Sequence, residues 1–249
     1  WRVSGTLARV PWARWAGHVV VLADTHVVVL PRDDVRIAEG VNLAGESRDD
    51  VAVDGLLPEA AVFPVPGWVS PAAFFQRAAL ARAALTAGAA GRALELSVAY
   101  AGERVQFGRP IGRFQAVQQH LAAMAGEVLL ARVAAGAAAV ALDADVALAG
   151  GAGSGGAGSV SGAGAEVAVA AAKTVAGQAA GQVAALAHQV HGAIGFTEEH
   201  ALRHSTTRLW AWRDEDGNEQ RWSAALGQQA LAAGSSGLWP LLSGTAAGG

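Results

Sequence analysis

The sequence predicts an α+β protein in which an antiparallel β-domain, residues 1–63, precedes a helical bundle, residues 64–249. Short β-branched runs occupy the first region and stop before a cluster of prolines, Pro64, Pro66 and Pro71. Beyond this cluster, apolar residues recur at helical spacing and β-branched runs are almost absent. Alanine supplies 60 residues, which favours helices built from small, closely packed side chains.

The composition excludes several classes of protein. With 249 residues, 52% of them hydrophobic, 16% charged and a net charge of -3, the chain can bury a large core, and it is neither a disordered tail nor a typical nucleic-acid binder. The absence of cysteine excludes disulfides, thiolate catalysis and Cys-ligated metals. No basic segment precedes an apolar one at the start, so we expect no signal peptide and a cytoplasmic protein. We also expect that Trp1 is not the native start.

We expect no membrane span. The apolar run Val133–Leu142 is bounded by Arg132 and Asp143. It therefore falls short of the ~20 apolar residues that a helix needs to cross a bilayer.

In the β-domain, two short runs are typical of strands joined in hairpins. They are His18–Ala23 and His26–Leu30, the second closed by Pro31. A third strand is expected within Val51–Leu57, with a turn at Asp54 and Gly55.

The helical region divides at its glycines and prolines. Pro71 suits the first turn of a long helix, and Gly108, Pro110 and Gly112 interrupt the helical pattern. The expected helices cover residues 71–103, 114–149, 165–190, 198–212 and 218–233. A Gly/Ser-rich stretch at 149–164 is expected to be a linker, and the tail after Ala233 is expected to be loose.

Two patterns that resemble ligand sites have simpler explanations. Gly151–Gly156 fits G-x-G-x-x-G, but it follows a helix instead of a strand, so we discard a nucleotide-binding fold. The pairs His188 and His191, and His200 and His204, could share a helix face toward a metal. Because no HExxH motif or supporting carboxylate accompanies them, we expect hydrogen-bonded histidines and no metal site.

Two bends between helices are more specific. The first bend, Arg104–Gln115, places a cation, an aromatic ring and an amide around a tight turn that could hold a pyrophosphate. The alternative is an ordinary loop with solvated arginines. The second bend, His188–Phe196, could offer backbone N–H groups to an anion or a ribityl chain, or it could be an ordinary helix C-cap.

Together these bends resemble the C-terminal domain of acyl-CoA dehydrogenases. The first bend matches R-x-x-F-G-x-x-[IL]-x-x-[FH]-Q and the second contains Q-x-x-G-x-x-G-[FY]. Trp1–Trp12 resembles a segment of the family's middle β-domain, and Lys173–Ala176 resembles its K-x-x-A helix. The resemblance covers about residues 1–233. It implies a four-helix bundle after a partial middle domain, with the family's N-terminal helical domain absent.

The resemblance implies FAD-dependent α,β-dehydrogenation of an acyl-CoA thioester, from fatty acid or steroid breakdown. A carboxylate removes the α-proton while the β-hydrogen leaves as hydride to the flavin. Expected partners are an electron-transfer flavoprotein or similar acceptor and further acyl-CoA dehydrogenase subunits. Arg82 matches a position near the substrate. The expected FAD-binding residues are Arg104, Phe107, Gln115, Gln189, Gly192, Ala193, Asn218 and Gln220.

The base is where this sequence departs from the family. The usual motif, [YF]-E-G-T, aligns with Asp216-Gly217-Asn218, so Asp216 is the expected catalytic base and Glu215 is the alternative. Aspartate is one methylene shorter, which weakens it as a base. A second location that some relatives use for the base holds Ala81.

Two further departures leave the assembly open. Arg9 and Pro11 occupy positions where the family usually has residues that wall the flavin. One interpretation is a non-catalytic or half-site subunit of a heteromeric acyl-CoA dehydrogenase that contributes part of the FAD site. Another is a fragment of a diverged homomeric enzyme, and a third, resting on composition alone, is a helical binding bundle without cofactor.

Overall fold

The computed structural model describes residues 1–23, 25–66, 69–151 and 163–243. The chain folds as two compact units, Trp1–Phe75 and Gln76–Gly249. This division lies beyond the boundary at residue 63 that the composition predicts. The mixture of sheet and helix confirms the α+β class.

The first unit contains six strands: β1 (Arg2–Pro11), β2 (His18–Leu22), β3 (His26–Pro31), β4 (Arg36–Ala38), β5 (Arg48–Leu56) and β6 (Val62–Pro64). They form two three-stranded antiparallel sheets, with strand orders β1-β5-β4 and β2-β3-β6. Side chains from both sheets, including the fully buried Leu30 and Val51, form its core. The hairpin that the sequence predicts is formed by β2 and β3, in which His18 pairs with Pro31 and Leu22 with Val27.

The turn expected at Asp54 and Gly55 is wrong. Both residues lie inside β5, where Asp54 pairs with Ser4 and Gly55 with Val3. The partner strand β1 continues to Arg2 and keeps β5 extended past the point where the local sequence favours a reversal. The turn propensity of an Asp-Gly pair is therefore overridden by a strand that lies far away in sequence.

The second unit is a bundle of long helices. Its elements are α1 (Pro71–Glu103), a short hairpin of β7 (Val105–Gln106) and β8 (Arg109–Pro110), α2 (Gln115–Gly151), α3 (Ala163–His191), α4 (Leu202–Asp214) and α5 (Glu219–Ser243). Alanines of α1 and α3 pack with Met124 and Val128 of α2 and Leu209 of α4 in one buried core, and α5 packs on α3. The predicted four-helix bundle is confirmed.

Three helix boundaries differ from expectation. Of the expected linker, residues 149–151 still belong to α2, α3 begins at Ala163, and 152–162 lie outside the described residues. The helix expected from Glu198 begins only at Leu202, after a turn. The tail after Ala233 is helical to Ser243 instead of loose. Gly234, at φ 66°, forms a kink, and a second helical segment follows it.

Helix α2 is unusually apolar on its outer side. Its segment Gln115–Ala144 contains an 18-residue window with a mean hydropathy of 1.6, of which 28% is buried. By length and composition alone, the segment is long and apolar enough to cross a membrane. The prediction of no membrane span rests on the shorter apolar run Val133–Leu142. Met124, Ala131 and Ala138 on one face are fully buried, as in the core helix of a bundle.

Candidate active site

The two bends meet at one groove, of about 440 Å³, that we call the bend groove. The end of α1, the β7–β8 hairpin, the start of α2 and the end of α3 form its walls. Of the residues that the sequence assigns to the cofactor, five line it: Arg104, Phe107, Gln189, Gly192 and Ala193.

The first bend is a tight hairpin with its aromatic residue at the tip. Phe107 and Gly108 both have positive φ, 51° and 80°, as a two-residue turn of type I′ requires. Phe107 is 92% exposed, and its only ring contact within the described residues is edge-on with Phe114 at 6.1 Å. A non-glycine residue in this conformation costs free energy, so a strained, exposed phenyl ring is a sign of a binding surface.

The second bend follows the last turn of α3. The His191 ring lies against Tyr100 with centroids 4.6 Å apart, and its Nδ1 hydrogen-bonds the carbonyl oxygen of Ala187 at 2.8 Å. His188 stacks on Phe196 at 4.1 Å. Burial lowers the pKa of both histidines, so both are neutral at pH 7 and act as packed ring systems beneath the bend.

Three expected cofactor residues do not line the bend groove. Gln115 begins α2 beside it. Asn218 accepts a hydrogen bond from the Arg221 backbone N–H at 3.0 Å and so caps the start of α5, and Gln220 is exposed in the first turn of that helix.

The expected base lies in the turn between α4 and α5. Asp216 and Gly217 both have positive φ, 56° and 87°, and the indole N–H of Trp222 donates to the Asp216 carbonyl oxygen at 3.0 Å. Arg82 pairs with both candidate carboxylates. Its Nε lies 2.9 Å from Asp216 Oδ2, and its Nη2 lies 3.0 Å from Glu215 Oε2. The Glu215 side chain is 8% exposed and that of Asp216 is 28% exposed, so Asp216 is the more accessible of the two.

The sequence predicts Arg82 near the substrate, but its guanidinium group pairs with the two carboxylates. A separate apolar groove of about 690 Å³, the α1–α4 groove, lies along the neighbouring face of α1. Two arginines line it that the sequence analysis missed, Arg92 and Arg208. The position of Arg92 could have been predicted from the sequence, because its helical spacing from Leu85 and Gly88 places all three on one face of α1.

The comparisons with known proteins identify the family. The family model for the acyl-CoA dehydrogenase C-terminal domain matches residues 66–220. The chain belongs to the acyl-CoA dehydrogenase family. Members of this family are FAD flavoproteins, and a cation, an amide and a backbone turn in the bend groove suit the pyrophosphate and sugar of such a dinucleotide.

Several acyl-CoA dehydrogenases resemble the chain in sequence. Acyl-CoA dehydrogenase IpdE2 of Mycobacterium tuberculosis is 37% identical over 125 residues, which is 50% of this chain and 32% of that protein. IpdE2 of Mycolicibacterium smegmatis is 54% identical over 55 residues, 22% of this chain and 18% of that protein.

Solved structures of the family share the fold. In the ChsE4-ChsE5 complex from Mycobacterium tuberculosis, a chain of 25% identity superposes with a TM-score of 0.78, covering 93% of this chain and 60% of that chain. Glutaryl-CoA dehydrogenase from Mycobacterium smegmatis, also 25% identical, gives 0.75, covering 93% and 58%. The chain thus spans less than two thirds of these acyl-CoA dehydrogenases.

Arg9 and Pro11, where the sequence departs from the usual acyl-CoA dehydrogenase pattern, both lie in strand β1. Arg9 has a positive φ of 56° at the register shift of β1 between Leu7 and Val10, and its backbone N–H donates to Asp50 Oδ1 at 2.8 Å. Pro11 pairs with Arg48 at the end of the same strand. Arg9 therefore stands at a bulge, a place where strands commonly re-aim side chains, and Pro11 lies in regular pairing just beyond it.

Lys173 has a role that sequence reasoning did not find. The sequence placed it only in a family motif, whereas the structure buries it almost completely, at 1% exposure, beneath the end of α4. Its Nζ donates to the Arg213 carbonyl oxygen at 2.9 Å. The available signal was its rarity, because the other 17 cationic residues are all arginines.

Proposed function

We propose that this chain takes part in the FAD-dependent α,β-dehydrogenation of an acyl-CoA thioester. The observation that carries the proposal is the meeting of both family bends at one groove of this acyl-CoA dehydrogenase fold, together with two carboxylates at the α4–α5 turn. The flavin, when bound, supplies the acceptor for the substrate's β-hydride.

The residues of the chain divide the remaining work. Asp216 accepts the α-proton at a carboxylate oxygen, and Arg82 orients that carboxylate through Nε. Glu215 is the alternative base, although it is the more deeply buried of the two.

Cofactor binding is assigned to the bends. Arg104 neutralises pyrophosphate charge, Gln189 and the backbone of Gly192 and Ala193 hold the sugar region, and Phe107 stacks on the cofactor. Because Arg104 and Phe107 are exposed, we assign them to the FAD of a neighbouring subunit. The same proposal assigns Gln115, Asn218 and Gln220 to the edges of the cofactor site.

The apolar α1–α4 groove suits the substrate. Its lining is mostly apolar, with Arg92 and Arg208 able to neutralise the phosphates of CoA. Arg82 then acts on the substrate through the base. An electron-transfer flavoprotein is proposed as the acceptor of the electrons.

Anaerobic bleaching of the flavin by acyl-CoA tests the base. We expect Asp216→Asn to abolish substrate-dependent bleaching while FAD remains bound, because the amide cannot accept the proton. Glu215→Gln is the matched control and should retain most of the bleaching. Full turnover in Asp216→Asn would reject the assignment of the base.

FAD affinity tests the bend groove. Arg104→Ala should weaken FAD binding, whereas Arg113→Ala, in the same bend but outside the groove lining, should leave it nearly unchanged. Equal effects of the two substitutions would remove the argument for a pyrophosphate site.

The second candidate function is a half-site subunit of a heteromeric acyl-CoA dehydrogenase. It is favoured by the pairing of Arg82 with both carboxylates and by the strained Arg9 at the position of the flavin wall. Such a subunit would bind little FAD alone and more when co-expressed with its partner. Stoichiometric FAD and full activity in the isolated chain would exclude it.

A further inference from the structure

Lys173 is the only lysine of the chain and the largest side chain that is fully buried in the described residues. It projects from α3 toward the last turn of α4. A buried ammonium group is costly unless it is paired, so its partners define its role.

Its partners are the final carbonyl groups of a helix. Nζ donates to the carbonyl oxygens of Arg213, at 2.9 Å, and Trp212, at 3.5 Å. The last carbonyls of an α-helix lack intrahelical donors and carry partial negative charge, which a cation stabilises. Lys173 therefore fixes the end of α4 from inside the bundle, immediately before Glu215 and Asp216.

Four charged groups act electrostatically on this ammonium. Asp216, Asp214 and Glu219 attract it, and Arg82 repels it. Burial has the largest effect and lowers the pKa of Lys173 to about 8. The lysine and Arg82 thus approach the same turn, one through its backbone and the other through its carboxylates.

The rest of the turn is held from the other side. Trp222, 5% exposed, donates its indole N–H to the Asp216 carbonyl oxygen, and Arg213 pairs with Glu219 at the start of α5 through Nε at 2.8 Å. Lys173 is a side-chain donor to the Arg213 carbonyl oxygen, at the entrance of the turn. Its loss would release the entrance of the turn while the exit stayed fixed.

We propose that Lys173 is a positioning residue that sets the backbone of the α4–α5 turn and so aims the Asp216 carboxylate. The catalytic part of this inference rests on the proposed function. The structural part, a direct coupling between Lys173 and the turn, stands independently.

The coupling can be measured without any activity. Protein grown with lysine labelled at Cε with ¹³C gives one lysine side-chain resonance, because the chain has one lysine. In a pH titration of the full chain we expect a midpoint near 8, and a lower midpoint in Asp216→Asn, since an attractive charge is lost. A midpoint near the ordinary value of 10.5 that Asp216→Asn leaves unchanged would overturn the inference.

Kinetics test the catalytic part in the FAD-loaded protein. A base displaced by roughly 1 Å loses about a hundredfold in rate, so Lys173→Met should slow flavin reduction by up to that factor while substrate affinity is retained. Lys173→Arg, which keeps the charge, should restore part of the rate. Reduction by Lys173→Met at the wild-type rate would overturn the positioning role.

The two measurements separate the possible failures. If the wild-type protein does not reduce its flavin with any acyl-CoA, the proposed function fails, and the lysine titration still decides the structural coupling. If Lys173→Met does not fold, the titration of the wild type and Asp216→Asn, which leaves Lys173 in place, decides the inference in either direction.

Discussion

Arg82 and Asp216 are joined by an ion pair of 2.9 Å although 134 residues separate them in the sequence. The pair connects the first half of α1 to the turn between α4 and α5. The same guanidinium group also holds Glu215, so one cation neutralises two adjacent carboxylates. The position of the candidate base therefore depends on the packing of α1 as much as on its own turn.

Replacing Arg82 by Met should destabilise the bundle. The side chains of Arg82 and Glu215 are 12% and 8% exposed, and breaking a buried pair by removing one partner costs about 3 kcal/mol. Urea unfolding measures the difference. Arg92→Met is the control, because Arg92 pairs with Glu95 on the surface and should change the free energy of unfolding by at most about 0.5 kcal/mol. Equal losses would show that the Arg82 pair is not special.

Two glycines should respond to alanine in opposite directions. Gly217 has a φ of 87° and a Cβ there would lie 2.6 Å from Trp222 Nε1, so Gly217→Ala should destabilise the turn by about 1–3 kcal/mol. Gly126 lies inside α2 with open space around its Cα, so Gly126→Ala should stabilise the protein by about 1 kcal/mol. Thermal unfolding compares them, and a Gly217→Ala variant as stable as wild type would contradict the strained turn.

The stability of the protein should rise with pH above 8 on account of Lys173. Its pKa is about 8 in the folded chain and 10.5 when unperturbed, so between these values the unfolded chain binds more protons. The free energy of unfolding should then increase by about 3 kcal/mol across this window. Urea unfolding at several pH values should show the rise in wild type and its absence in Lys173→Met. Parallel curves would show that the lysine is not neutralised by burial.

The first unit should lose stability in acid through Asp49. Hydrogen bonds from the Arg14 side chain lower the pKa of this buried carboxyl from 3.8 to about 2. A lowered pKa stabilises the fold above pH 4, and this contribution disappears as the pH falls toward 2. Acid unfolding followed by tryptophan fluorescence should begin at higher pH in Asp49→Asn. The same onset in both proteins would argue against the Arg14–Asp49 pair.

The long helices and both bends could be predicted because their signals are local. Helical spacing marks α1 and α2, and Gly108 and Gly192 mark the bends between helices. The failures have a common origin in distant partners. Asp54 and Gly55 remain extended because of β1, and Arg82 turns to Asp216 because the bundle brings them together.

In the candidate site, too, the local motifs could be predicted and the contacts between distant residues could not. The bend residues are short-range neighbours in each motif, and five of them line one groove. Asn218 instead caps a helix, and Lys173 pairs with carbonyl oxygens 39 and 40 residues away. No local pattern of residue types reveals which backbone carbonyl a buried ammonium will meet.

Burial of the only lysine has a practical consequence for chemical labelling. Acylating reagents find no exposed lysine side chain on the folded protein, so lysine side chains offer no site for cross-linking this chain to a neighbour. The rate of acylation at Lys173 would instead measure how often α3 separates from α4 and exposes the amine. Mass spectrometry of the single peptide that contains Lys173 would follow this rate.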